Sequence, residues 1–136
     1  MVENQFQVAS ANHDDLAQIQ FFLMPFMDGR LLLRRTSLEL ELLLKHSFKA
    51  IQSDRIIGFC ALEIYSKKLA EIQCLAVDTD FRRLGVGREL VQSCVQRARD
   101  EKVLELMAIS SSDKMFMSCG FDYSLPHQKR ALFIQP

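Results

Sequence analysis

Apolar residues recur at intervals of three and four between positions 88 and 100. Leu90, Val91, Cys94, Val95 and Ala98 form one stripe, while Arg88, Glu89, Gln92, Gln96, Arg97 and Arg99 surround it. That period predicts an amphipathic helix. Upstream, FQVASA alternates as an edge strand does, and Asn12, Asp14 and Asp15 offer capping oxygens ahead of LAQIQFFLM. Leu16, Ile19, Leu23 and Met24 share a face there, and Pro25 with Asp28-Gly29 is expected to break the helix. Thr36 and Glu39 have capping-box spacing, so a second helix is predicted from about residue 37 to 46. FKAIQ and RIIGFCALEIY flank Ser53-Asp54 as two strands around a tight turn.

The apolar run LAEIQCLAV reads as a central strand ended by Asp78, Thr79 and Asp80. LELMAI follows the amphipathic helix as a strand, and SSDKMFMSC as a short helix stopped by Gly120. FDYSL and RALFI are predicted as the last two strands. The order is therefore strand, two helices, three strands, helix, strand, helix, two strands. It implies an α/β (α+β mixed) fold with a twisted mixed sheet of about six to seven strands and helices on both faces. No repeat or linker interrupts the pattern, so residues 1–136 are expected to form one domain.

Charge and cysteine content narrow the function. Lys plus Arg and Asp plus Glu each number 17, without the basic excess of a general nucleic-acid binder. No apolar run approaches the roughly 18 to 20 residues of a membrane span, and the first residues lack a signal-peptide pattern. Cys60, Cys74, Cys94 and Cys119 are scattered, with neither CxxC nor histidine at ligand spacing. The expectation is a cytoplasmic protein without disulfides or metal, contacting neither nucleic acid nor membrane.

The stretch Arg82-Arg83-Leu84-Gly85-Val86-Gly87 joins the LAV strand to the amphipathic helix. A helix start offers unpaired amides and the positive end of the dipole, and glycines allow an anion to approach the backbone. Arg82, Arg83 and Arg88 add cationic side chains. The stretch lacks the Lys-Ser/Thr of a Walker loop and the full GxGxxG of a dinucleotide site. Taken alone, a GxG before a helix is more often a plain turn than an anion site.

The longer segment AEIQCLAVDTDFRRLGVGRELV resembles the acetyl-CoA-binding core of the GNAT superfamily of N-acetyltransferases, with Arg82, Gly85 and Gly87 at the required positions. KMFMSCGF, closing on Gly120-Phe121, is similar to a second landmark of that superfamily. DGRLLLRR, IIGFCAL, AEIQCLAV and LPHQKR resemble the acetyltransferase domain of bacterial N-acetylglutamate synthases over about residues 6 to 131. The amino-acid-kinase domain that many of those enzymes carry has no counterpart in this sequence, which points to a stand-alone version.

The resemblance implies acetyl transfer from a thioester to an amine in a ternary complex, with acetyl-CoA as co-substrate. Leu75, Ala76 and Val77 would run beside the pantetheine, and a backbone amide at Cys74 or Leu75 would steady the oxyanion. Arg82, Arg83, Leu84, Gly85, Val86, Gly87 and Arg88 would surround the pyrophosphate. Phe116 stands where many GNAT enzymes place a tyrosine, so solvent would protonate the thiolate. Glu71 is the first candidate for removing the amine proton, acting through water, and Glu63 is the alternative. The other reading of Glu71 is as an exposed strand carboxylate paired with a neighbouring lysine.

Arg34 and Arg35, with Lys129 and Arg130, match family positions that suggest carboxylate binding, which would suit glutamate as acceptor and a role in arginine biosynthesis. His13, His46 and His127 read as isolated surface or capping residues. Cys119, Phe21, Phe22, Met115 and Met117 read as packing. Two rival readings stay open: another small amine or a protein amine as acceptor, and a CoA-binding module without turnover. The partner expected is a small-molecule amine, and self-association would give a homodimer.

Overall fold

A computed structural model of the chain describes residues 5–127 and 131–136. The sheet has five strands in the order β1-β2-β3-β4-β5: β1 (Gln7–Ser10), β2 (Ser47–Gln52), β3 (Arg55–Ile64), β4 (Leu69–Val77) and β5 (Glu105–Met107). The first four pair antiparallel, and β5 lies parallel to β4. Helices α1 (Leu16–Asp28) and α2 (Ser37–Leu43) cover one face. Helix α3 (Val86–Asp100) covers the other, with the short α4 (Asp113–Ser118) beside it. The mixed sheet with helices on both faces is the architecture expected from the sequence.

Local chemistry explains most element boundaries. The Thr36 hydroxyl accepts from the Glu39 amide and the Glu39 carboxylate accepts from the Thr36 amide, so the capping box forms. Ser53 and Asp54 both have left-handed φ, at 49° and 62°, as the two-residue β2–β3 turn requires. Strand β3 builds two cores, its alternation shifted by a bulge that leaves Ile57 without a partner on β2. Ile57, Cys60 and Leu62 pack with Leu90, Val91 and Cys94 of α3, while Ile56, Phe59 and Ala61 pack with Ile19, Leu23 and Leu40. Burying a leucine such as Leu90 completely contributes about 1.5–3 kcal/mol.

Gly58 sets how closely α3 approaches the sheet. A Cβ there would meet Leu90 Cδ1 and Val86 Cγ1 at 3.0 Å and Ala50 Cβ at 3.3 Å. Gly58→Val is therefore expected to overpack this face and cost about 1–3 kcal/mol, read as a lower urea midpoint. An unchanged midpoint would show that α3 can back away freely.

Two expectations need correction. Helix α1 runs through Pro25 and ends at Asp28 with Gly29 as its C-cap, so the break falls at Asp28-Gly29 as expected and not at Pro25. Proline removes one backbone donor, yet the extra turn brings Met27 into the core below Ile19 and Leu23, and Met24 is left exposed. FDYSL forms no strand, and residues 131–134 of RALFI form none either, so the described residues give five strands where six to seven were expected. The Tyr123 amide is taken by its neighbour's Asp122 carboxylate, and Leu132, Phe133 and Ile134 stay at least 82% exposed, so neither run joins β5. Phe21, expected to pack, is 80% exposed.

Candidate active site

Strand β4 is paired on both sides over only part of its length. Its pairing with β5 covers Leu69, Ala70 and Glu71 and then stops. Against β3, Ala61 opposes Gln73 and Phe59 opposes Ala76, so Cys60 faces both Cys74 and Leu75. This is a bulge, and Cys74 takes a φ of 57° to make it. The extra residue reverses the side-chain alternation. Ala70 and Ile72 pack toward α3; beyond the bulge Cys74 and Ala76 pack under α1, and Leu75 and Val77 toward α3. The Asp78 amide donates to Ile57 O across β3 at 2.8 Å. By alternation the amides of Val77 and Leu75 face the edge that β5 leaves open.

The open edge leads into the start of α3. Asp78 accepts from the Asp80 amide at 2.9 Å and pairs with Arg55, whose guanidinium lies over the Phe81 ring, 5.7 Å from its centroid. The chain then turns through Arg83 at φ 66° and Gly85 at φ 88°. No side chain caps α3, whose first helical bond runs from the Glu89 amide to Gly85 O. Its first-turn amides are therefore without intrahelical partners. Arg82, Arg83 and Leu84 are exposed, and the two arginines have no hydrogen-bond or ion-pair partner among the described residues. Arg88 instead donates to Ser118 O at the end of α4. The Val86 side chain is in the core, so only its backbone faces the loop. Uncapped amides, a left-handed glycine and two unpaired arginines suit a diphosphate anion.

On the α1–α2 face of β3 and β4, six polar side chains meet. Arg35 donates through Nη2 to Gln73 Oε1, and its Nη1 lies 3.7 Å from Glu39 Oε2. Gln73 Nε2 donates to Glu63 Oε1 at 3.2 Å and to Tyr65 Oη at 3.4 Å. Tyr65 Oη donates to Glu71 Oε1 at 2.6 Å. The Arg35 side chain is only 18% exposed, and its Nε is buried without a partner among the described residues. Burial, then the hydrogen bond to Glu71, pushes the Tyr65 hydroxyl up to about 12, so it stays protonated and donating. Burial raises the Cys74 thiol despite the guanidinium of Arg35, which leaves it a poor nucleophile.

Arg35, Glu63 and Tyr65 also line a groove of about 520 Å³ that continues past Lys45, His46 and Glu101. His46 is not isolated: its ring meets Arg97 Nη1 at 3.1 Å and Glu101 Oε1 at 3.6 Å. Burial lowers its pKa, with Glu101 opposing and Arg97 and Lys45 adding to the shift.

The structure thus brings together Glu71, Arg35 and the alternative carboxylate Glu63, with Leu75 nearby in the chain at the bulge. Arg34 is not among them; it points outward to Asp28 at 2.7 Å. Lys129 and Arg130 lie outside the described residues. Phe116 is buried, edge-on to Phe121 with centroids 5.2 Å apart. Sequence reasoning missed Gln73 and Tyr65. The signal was present, since Glu71 and Gln73 are two residues apart on β4, and Glu63 and Tyr65 are two residues apart at the end of its partner β3.

Among the described residues no helix is long and apolar enough to cross a membrane. The model of the acetyltransferase (GNAT) family matches residues 14–121. An uncharacterised N-acetyltransferase of Chlorobaculum tepidum is 36% identical over 74 residues, 54% of this chain and 48% of that protein. An amino-acid acetyltransferase of Edwardsiella ictaluri is 28% identical across 98% of this chain. The chain spans about half the length of the first relative and 32% of the second. N-acetylglutamate synthase from Neisseria gonorrhoeae, solved with coenzyme A and N-acetyl-glutamate, has the same fold, with a TM-score of 0.74 at 23% identity over 84% of this chain and 27% of that one. Most of the sequence is covered by the family model, and its bulged central strand opens toward an uncapped glycine-led helix: the chain belongs to the acetyltransferase (GNAT) family.

Proposed function

We propose that the chain is an acetyl-CoA-dependent N-acetyltransferase that acetylates the primary amine of an amino acid such as glutamate, by direct attack in a ternary complex. The observation that carries this reading is the one-sided edge of β4, which runs from the Glu71 cluster to the amides and arginines at the start of α3. Acetyl-CoA would supply the activated acetyl group. Arg82, Arg83 and the amides from Gly85 to Arg88 would hold its pyrophosphate, with Leu84 beside it and Arg88 tied to α4. The outward amides of Leu75 and Val77 would bind the pantetheine arm past Ala76, and the Leu75 amide would donate to the carbonyl oxygen as charge develops there. Phe116 would wall the thiol end without donating a proton. Holding both reactants in one site removes much of the entropic barrier.

Glu71 would take the proton from the acceptor ammonium, through water. Arg35, which lines the groove, would meet an acceptor carboxylate, with Lys129 and Arg130 joining it as the family motif suggests, while Arg34 is held at Asp28. The amino-acid acetyltransferases among the relatives favour an amino-acid acceptor, and a cytoplasmic setting and a place in arginine biosynthesis would go with glutamate in that role. A second reading, a cationic amine acceptor, is favoured by Glu39, Glu63 and Glu71 gathering around a single arginine.

Free-thiol release from acetyl-CoA, measured with amino acids and polyamines in parallel, tests both. Release with glutamate is the expected result. Release with polyamines alone would move the assignment to the second reading, and binding without release under any acceptor would leave a CoA-binding module.

A further inference from the structure

We infer that Tyr65 is a positioning residue for Glu71, holding its carboxylate through a directional hydrogen-bond chain that begins at Arg35 and passes through Gln73. The inference rests on the reading of Glu71 as the proton acceptor.

Glu63 and Glu71 are direct partners across β3 and β4 and share the α1–α2 face. Like charges placed so are destabilising, and a carboxylate pair relieves the strain when one member takes up a proton. A protonated Glu71 could not accept a proton from an amine. The chain supplies each carboxylate with its own neutral donor: Gln73 Nε2 for Glu63, at 3.2 Å, and Tyr65 Oη for Glu71, at 2.6 Å.

The direction of every bond in this chain follows from chemistry. A guanidinium only donates, so Gln73 must turn its carbonyl oxygen to Arg35. Its amide nitrogen then faces Glu63 and the Tyr65 oxygen, and a carboxylate can only accept. The Tyr65 oxygen, already accepting from Gln73, is left with its own proton to give, and Glu71 is the acceptor within reach. The hydrogen bond holds the Glu71 carboxylate in one orientation and fixes which oxygen stays free. The 2.6 Å separation is that of a charge-assisted bond.

The charged or titratable groups facing Glu71 come from three elements. Glu63 lies on β3 and Tyr65 just past its end, Arg35 and Glu39 lie on the α1–α2 segment, and Cys74 on β4 itself. On the β5 side its partner is Met107, which carries no charge. Among these, Tyr65 is the one that donates to Glu71.

Tyr65→Phe keeps the ring and removes the donor, so the fold is expected to hold, with the thermal midpoint lowered by no more than about 5 °C. With an amine acceptor, kcat should fall roughly tenfold with KM for acetyl-CoA within about twofold, and the acidic limb of kcat/KM should move up by about half to one pH unit. Carboxyl 13C titration of Glu71 by NMR, which needs no turnover, should show the same upward displacement of the midpoint in the variant. Gln73→Met, which cuts the chain one link earlier, should give a smaller displacement in the same direction. An unmoved Glu71 midpoint in Tyr65→Phe would overturn the positioning role. If Glu71→Gln retains full activity, the proton-acceptor reading fails instead, whatever Tyr65→Phe does to the midpoint.

Discussion

Gly87→Trp is expected to abolish measurable acetyl-CoA binding, a loss of at least about a hundredfold or roughly 2.7 kcal/mol, while the protein stays folded. Gly87 is the second residue of α3 and its backbone is helical, so no left-handed strain attaches to a side chain there. A Cβ would sit 3.5 Å from Val77 Cγ2, an ordinary contact. An indole, by contrast, would fill the angle between the open edge of β4 and the first turn of α3. That is where the pyrophosphate must reach the uncapped amides. Titration calorimetry with acetyl-CoA, beside thermal unfolding, reads both halves of the expectation. Gly87→Ala is the control: it should keep or slightly raise stability, because alanine favours the helix by about 0.5–1 kcal/mol over glycine, and retain most of the affinity. An unchanged Kd for the tryptophan variant would remove α3 from the cofactor site.

The second large effect is expected from Glu71→Gln. A positioned general base contributes about 10²–10⁴-fold, so kcat near pH 7 should fall by at least about a hundredfold. Glutamine keeps the carbonyl oxygen that can accept from Tyr65, so the chain from Arg35 survives and the loss reports proton removal. KM for acetyl-CoA should stay within about threefold, since Glu71 lies before the bulge, away from the α3 start. Raising the pH should recover part of the rate, because the acceptor amine then arrives without its proton. A variant with unimpaired kcat at neutral pH would shift the role to Glu63 or to solvent.

Much of this was legible in the residues themselves. The stripe of Leu90, Val91, Cys94 and Ala98 forms the buried side of α3 as its spacing predicts. Thr36 and Glu39 cap α2 reciprocally, and Ser53-Asp54 turns the hairpin. The pattern around Gly85 and Gly87 carried the family. Each of these depends on interactions between residues a few positions apart, and such interactions are written along the chain. Pro25 shows the limit of that logic. Its local preference to end a helix was overridden by a core with room for Met27.

The adjacent arginines show what lay beyond reach. Arg34 and Arg35 have identical chemistry and neighbouring positions, and one motif suggested the same task for both. Only the path of the loop separates them, giving Arg34 to Asp28 at the surface and Arg35 to Gln73 on β4. Cys60 and Cys94, unrelated by any spacing, come to lie 3.6 Å apart in the core. The bulge at Cys74 is the sharpest case. Nothing in the apolar run CLAV marks a break, yet one residue without a partner on β3 reverses every side chain after it. The sequence by itself determined the elements, their caps and turns, and the loop that marks the family. Tertiary structure alone decided which face Leu75 and Val77 take, where β4 loses β5, and that Tyr65 and Gln73 join Glu71, because strand register is set by the opposing strand and not by the residues on either side.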